Sequence, residues 1–156
     1  MRTTYRVLAY LIAVGVAVQA AAMAFGVAGI SHAVKAGGVV DRSAFDGDPD
    51  AFPEATGLVL HEINGGIVIP VLALALLVVS VFAKVPRGSW WAGGVVLLVV
   101  AQTMLGYSAS DLPALGALHG LNALMLFGTA LLAGRRARVA APAPAADEPS
   151  RSATTV

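Results

Sequence analysis

Long apolar stretches separated by short polar segments dominate the pattern of this chain. Four of them run over Val7–Ile30, Leu58–Ala83, Trp90–Ser108 and Leu115–Gly134. Each is close to the roughly 20 residues that an α-helix needs to cross a bilayer. Because a chain in lipid must satisfy its own backbone hydrogen bonds, these stretches are predicted to be helices, even over the β-branched run from Val95 to Val100. The predicted fold is all-α, an integral membrane four-helix up-down bundle.

The polar segments divide the chain into one membrane domain and a tail. Residues 1–138 contain the four predicted helices, and a long loop, Ser31–Gly57, joins the first two. Residues 139–156 are rich in Pro and Ala and carry scattered charges without periodicity. Such a composition cannot bury a core, so we expect this tail to be disordered.

The charge distribution predicts an orientation. Of the 156 residues 58% are apolar and 12% are charged, which is far from the balance of a soluble domain. The net charge of +1 gives no indication of a nucleic-acid partner. Basic residues prefer the cytoplasmic side, which predicts a multi-pass protein of the plasma membrane with both termini in the cytoplasm and the loop Ser31–Gly57 outside. The clusters that carry this prediction are Arg2 and Arg6, Lys84 and Arg87, and Arg135–Arg138.

A short motif recurs near the start of the second and fourth helices. The second helix contains Leu60-His61-Glu62-Ile63-Asn64-Gly65, and the fourth contains Leu118-His119-Gly120-Leu121-Asn122-Ala123. Both read Leu-His-x-hydrophobic-Asn-small, with the histidine about one turn inside the outer end of its helix. The helices before them each carry one polar residue near the middle of the membrane, Gln19 and Gln102. The chain is therefore predicted to consist of two similar helical hairpins.

Histidine inside a membrane is costly and indicates a function. In an up-down bundle the second and fourth helices can lie diagonally, so that His61 and His119 face each other across the core. Two imidazoles on opposite sides of a flat macrocycle are the ligands of a bis-His haem. The chain has no cysteine, which excludes a thiolate ligand and c-type haem attachment. The inner half of the membrane contains no histidine, so we expect a single haem near the outer face and no electron path across the bilayer.

The neighbours of the two histidines fit this interpretation, although each also has a simpler one. Small residues would let a porphyrin approach the backbone, but they are also the normal packing code of membrane helices. The asparagines, three residues after each histidine, are expected to accept an imidazole N–H, as a backbone carbonyl one turn earlier could also do. The alternative is that the asparagines and the two glutamines bond across helices. The small residues in question are Gly57, Gly65, Gly116 and Gly120, and the asparagines are Asn64 and Asn122.

With its alternation of plain and His-bearing helices, the chain resembles one four-helix half of haem A synthase, and the segment from Leu60 to Gly134, with its two Leu-His-x-x-Asn motifs, carries the match. It is also similar to small four-helix bacterial membrane proteins with a Leu-His-x-x-Asn-Gly signature. The resemblance implies a b-type haem held between His61 and His119. The pattern departs from haem A synthase because Glu62 follows His61 instead of preceding it, and no arginine follows either histidine. The resemblance therefore does not imply that this chain oxidises a haem methyl group, as haem A synthase does, and no catalytic residue is assigned.

The sequence thus predicts a haem b-binding membrane protein that acts in electron transfer or haem handling. Its expected surroundings are the lipid bilayer and either a membrane redox partner or a second copy of the chain. An accessory membrane subunit without a cofactor, in which the His and Asn residues only hold the helices together, is the first alternative. A small transporter that uses Glu62 with the His pair is a weaker one, because four helices are few for a transporter unless the chain dimerises.

Overall fold

The computed structural model describes residues 1–42 and 51–139, the side chain of residue 139 excepted. Four helices are long and apolar enough to cross a membrane. They are α1 (Arg2–Lys35), α2 (Thr56–Phe82), α3 (Gly88–Ser108) and α4 (Pro113–Val139). This confirms the predicted all-α architecture of four membrane helices. The middle of the first loop, residues 43–50, and the tail from residue 140 lie outside the described part, and so do the predictions made for them.

The helices are longer than their apolar stretches. α1 continues through Ser31–Lys35, which was predicted as loop, because a helix need not end where the hydrocarbon of the bilayer ends. It stops just before Gly37, whose φ of +84° lies in the left-handed region that glycine adopts readily. α4 begins at Pro113, a residue that suits the first turn of a helix because it has no N–H to leave unpaired.

The helices are arranged as a square in chain order. α1 packs against α2 and α4, and α3 packs against α4 and the second part of α2. α2 and α4 are therefore diagonal to each other, as the sequence predicted. Large apolar side chains such as Leu97 and Leu124 remain 69% exposed on the outside of the bundle. Lipid accounts for such exposure, since a soluble protein rarely leaves extended apolar surface uncovered.

The bundle has a packed end and an open end. The packed end carries the amino terminus and the arginines Arg87 and Arg136, and we call it the basic end. Here Tyr5, Ile12 and Leu76 are fully buried, and the Tyr5 hydroxyl donates to the Gly88 carbonyl at 3.0 Å. At the opposite end, which we call the loop end, the first three turns of α2 pack mainly against α1. The two hairpins, α1–α2 and α3–α4, therefore separate toward the loop end.

One irregular turn lies within α2. Residues Asn64–Val68 form a π-helical turn, in which the Ile69 N–H bonds to the Asn64 carbonyl, five residues back. Pro70 follows directly and cannot donate the backbone bond to Gly66 that an α-helix would make there. The wider turn accommodates this missing donor. π-helical turns are frequent at functional sites, and this one starts three residues after His61.

A paired histidine site between the two hairpins

In the first hairpin, Gln19 of α1 and the motif of α2 form one polar network. The Gln19 amide nitrogen donates to the His61 carbonyl at 2.8 Å. Its amide oxygen accepts from the Asn64 amide nitrogen at 2.8 Å, and Asn64 also donates to the Gly15 carbonyl at 2.9 Å. The His61 Nδ1 lies 3.2 Å from the Gln19 carbonyl oxygen. The polar groups of the two helices thus satisfy one another.

The second hairpin repeats this network. The His119 Nδ1 lies 3.0 Å from the Gln102 carbonyl oxygen. The Asn122 amide nitrogen donates to the Gln102 side-chain oxygen at 2.6 Å and to the Leu98 carbonyl at 2.9 Å. Leu98 precedes Gln102 by four residues, just as Gly15 precedes Gln19. Three of the four hydrogen bonds therefore recur; the bond from the glutamine amide nitrogen to the histidine carbonyl is found, among the described residues, in the first hairpin alone.

The backbone carbonyls determine which nitrogen of each imidazole holds the proton. A carbonyl oxygen only accepts hydrogen bonds, so Nδ1 of His61 and of His119 must donate. In a neutral imidazole this leaves the lone pair on Nε2. Histidine ligands of metals commonly have this arrangement, because the second bond fixes the tautomer and the orientation of the ring.

The two imidazoles lie across the diagonal of the bundle, as predicted. Their ring centroids are 6.2 Å apart, with the ring planes inclined by 46°. An imidazole nitrogen binds a transition metal at about 2.0–2.1 Å, and its ring centroid lies about 1.1 Å further back, so one ion held in line between the two Nε2 atoms would place the centroids roughly 6.3 Å apart. The observed centroid separation is close to that value.

A cavity of about 1050 Å³ surrounds the two imidazoles. Cofactor and small-molecule sites occupy roughly 300–1,000 Å³, so the cavity is large enough for a sizeable ligand. Small residues line much of it on both sides, among them Gly65, Gly66, Gly116 and Gly120. A Cβ added at Gly66 or Gly120 would meet nothing within 4 Å, so these two positions face open space.

Other glycines bring helices together. A Cβ at Gly57 would lie 2.6 Å from the Ala22 carbonyl, so this glycine lets the backbones of α1 and α2 touch and does not line the cavity. A Cβ at Gly65 would collide with the Gln19 amide nitrogen. Gly106 gives room to the His119 ring, whose Cε1 would be 3.0 Å from a Cβ there. Of the predicted small residues, Gly57 therefore serves packing and Gly65 serves both packing and the cavity.

The asparagines do not accept the imidazole N–H as first expected; they bond across helices, which was the alternative. Asn64 and Asn122 are buried, but the imidazole N–H donates to a backbone glutamine carbonyl of the preceding helix. Each asparagine instead donates to the glutamine side chain and to a backbone carbonyl one turn deeper in that helix. The matching positions of Gln19 and Gln102 in the two hairpins were the sequence feature that pointed to this network. No sequence feature shows which backbone carbonyl of another helix will accept a hydrogen bond.

His32 lies outside this site. Its side chain is 75% exposed, and its Nδ1 is 3.6 Å from a Glu54 carboxylate oxygen at the loop end. The described part of the chain contains no group of three or more His, Cys, Asp or Glu side chains that could hold a bare metal ion. A metal bound at the histidine pair would therefore have to bring further ligands, as the iron of a porphyrin does.

Comparison of the chain with models of protein families, with curated proteins and with solved structures gives no match.

Proposed function

We propose that this protein binds one haem b between His61 and His119 and acts in electron transfer or haem handling. The observation that carries the proposal is the pair of imidazoles, 6.2 Å apart by their centroids, each with Nδ1 engaged by a backbone carbonyl. The resemblance of the two motifs to one half of haem A synthase supports the same cofactor. Bound haem would supply a one-electron iron couple.

The protein's own residues have separate tasks in this proposal. His61 and His119 present a lone pair on Nε2, because Nδ1 carries the proton and donates it in a hydrogen bond to the carbonyl of Gln19 or Gln102. Asn64 and Asn122 hold the glutamine side chains and so keep each pair of helices in register. Gly116 and Gly120 keep the cavity wall thin beside His119. Apolar residues such as Met23 and Phe127 complete the lining and limit the access of water.

The haem content of the purified full-length protein tests the proposal. We expect about one haem per chain in the wild type, and a loss of more than about tenfold in affinity for His61→Ala or His119→Ala, because either change removes an axial ligand. His32→Ala is the matched control and should retain full haem content. Equal haem content in all four proteins, or a colourless wild type after haem is supplied during expression, would contradict the proposal.

One observation favours a second candidate, a structural membrane subunit without a cofactor. The glutamine and asparagine networks join the helices of each hairpin whether or not a ligand is present. In that case His61→Ala and His119→Ala should change thermal stability only, and no variant should have a visible spectrum.

We further propose that the basic end faces the cytoplasm of the plasma membrane. Arg2, Lys84, Arg87 and Arg136 lie together at this end, in keeping with the preference of basic residues for the cytoplasmic side. Because the chain has no cysteine, a single cysteine at Ser110 or Ser89 can be labelled selectively in intact cells. An impermeant thiol reagent should modify the first and spare the second. The reverse result would invert the topology.

A further inference from the structure

A second cavity lies on the outside of the bundle at the basic end. It is a groove of about 680 Å³ between α3 and α4, and we call it the basic groove. Its wall combines two arginines with aromatic and aliphatic residues: Arg87, Arg136, Trp90, Trp91, Leu97 and Leu98. It lies more than two helical turns from the histidine pair along α4 and shares no lining residue with the cavity there.

The two arginines have no acidic partner within residues 1–42 and 51–139. The acidic side chains of that part, Asp41, Glu54, Glu62 and Asp111, all belong to the loop end. The Arg136 guanidinium carbon lies 4.7 Å from the centre of the Trp91 ring. Stacking on an aromatic ring uses the face of a guanidinium and leaves its N–H edge available to donate. Such an edge matches the oxygens of a phosphate.

The backbone of Arg87 indicates which replacement leaves the turn before α3 intact. Arg87 has φ +56° and ψ +24°, in the left-handed region that glycine adopts without steric cost. Lys84 in the same turn has φ +51° and does not line the groove, so this conformation belongs to the turn. Glycine at position 87 would therefore remove the guanidinium and keep the backbone.

The depth of the groove indicates that its ligand also has an apolar part. From Trp90 to Leu98 the wall extends about 12 Å along α3, at about 1.5 Å per residue, which is less than half of the roughly 30 Å hydrocarbon thickness. Leu97 is 69% exposed and Trp90 is 82% exposed along this wall. Cationic groups therefore lie at the level of the headgroups, and apolar surface continues below them at the level of the acyl chains.

We infer that the basic groove binds one anionic phospholipid, with the phosphate at Arg87 and Arg136 and an acyl chain along Trp91 and Leu98. Basic pockets between membrane helices on the cytoplasmic side recognise anionic headgroups in this way. Charge complementarity favours an anionic lipid over a zwitterionic one, because the described wall supplies two arginines and no carboxylate.

Native mass spectrometry of the full-length protein, titrated with phosphatidylglycerol or with phosphatidylcholine of the same acyl chains, tests this inference. The wild type should bind the first phosphatidylglycerol roughly 10- to 30-fold more tightly than phosphatidylcholine. The double variant Arg87→Gly with Arg136→Gln should reduce that preference to about threefold or less. Arg135→Gln with Arg138→Gln removes the same charge at the same end, outside the groove, and should retain the preference.

The melting temperature of each variant separates binding from folding. Glycine suits the left-handed backbone at position 87, so Arg87→Gly alone should melt no lower than the wild type while losing about fivefold in lipid preference. This single variant replaces the double variant if the latter unfolds. Equal preference in the groove variant and the control would overturn the inference. Displacement of the lipid by inorganic phosphate at equal concentration would overturn it in favour of a free anion.

Discussion

The first hairpin, α1–α2, and the second, α3–α4, differ in most features that shape a backbone. α1 has 34 residues and α3 has 21, and only α2 contains a π-helical turn followed by proline. A long connection precedes α2, whereas residues 109–112 are enough to join α3 to α4. Yet three hydrogen bonds recur in both hairpins, from the histidine Nδ1 to the glutamine carbonyl and from the asparagine to the glutamine side chain and to a corresponding backbone carbonyl. Among the described residues, only the first hairpin adds a bond from the glutamine amide nitrogen to the histidine carbonyl. Most of the polar network is thus common to two hairpins whose helices differ in length and regularity.

The residue four positions after each histidine differs between the hairpins. It is Gly65 in the first hairpin and Ala123 in the second. Gly65→Ala would drive its Cβ into the Gln19 amide, which hydrogen bonds to His61 and Asn64 hold in place. We expect a loss of about 1–3 kcal/mol in the free energy of unfolding of the haem-free protein in detergent.

Gly120→Ala is the matched control, because a Cβ there meets nothing within 4 Å. Alanine is the better helix former, so this change should raise stability by about 0.5–1 kcal/mol. Equal melting temperatures for the two variants would show that Gln19 does not have the fixed position described.

The asparagines test whether the two networks are equivalent in energy. Asn64→Leu and Asn122→Leu each remove two hydrogen bonds of similar length. Bonds between membrane helices contribute about 0.6 kcal/mol on average, so each variant should lose roughly 1 kcal/mol in the free energy of unfolding. Thermal unfolding of the two variants side by side measures the difference. A much larger loss for Asn64→Leu would show that its side chain also maintains the π-helical turn that it begins.

The sequence predicted the features that depend on composition and on repeated spacing. Four helices, their up-down order and the diagonal placement of His61 and His119 follow from apolar stretches and from matching motifs. The continuation of α1 to Lys35 did not follow, because helix length beyond the bilayer depends on packing at the loop end. There Gly29 approaches Glu54, and the buried Phe52 packs near Ile30.

The acceptors of the imidazole N–H could not be read from the sequence for a different reason. Backbone carbonyls are present at every residue, so only the relative height of two helices decides that those of Gln19 and Gln102 are used. The π-helical turn is similar. Pro70 predicts a disturbed hydrogen bond, but whether the helix bends or widens depends on its contact with α1, where Asn64 bonds to the Gly15 carbonyl.

Chemical rescue with imidazole tests the central claim most directly, since it separates ligation from folding. Purified His61→Ala and His119→Ala proteins, each supplied with haem, would be titrated with imidazole and followed by visible and paramagnetic resonance spectra. If both histidines are axial ligands, imidazole should fill either vacated position and restore a low-spin spectrum like that of the wild type in both variants. The opposite result is a folded wild type without low-spin haem, together with folded variants that give none at any imidazole concentration. That result would contradict the claim that the paired histidines bind haem.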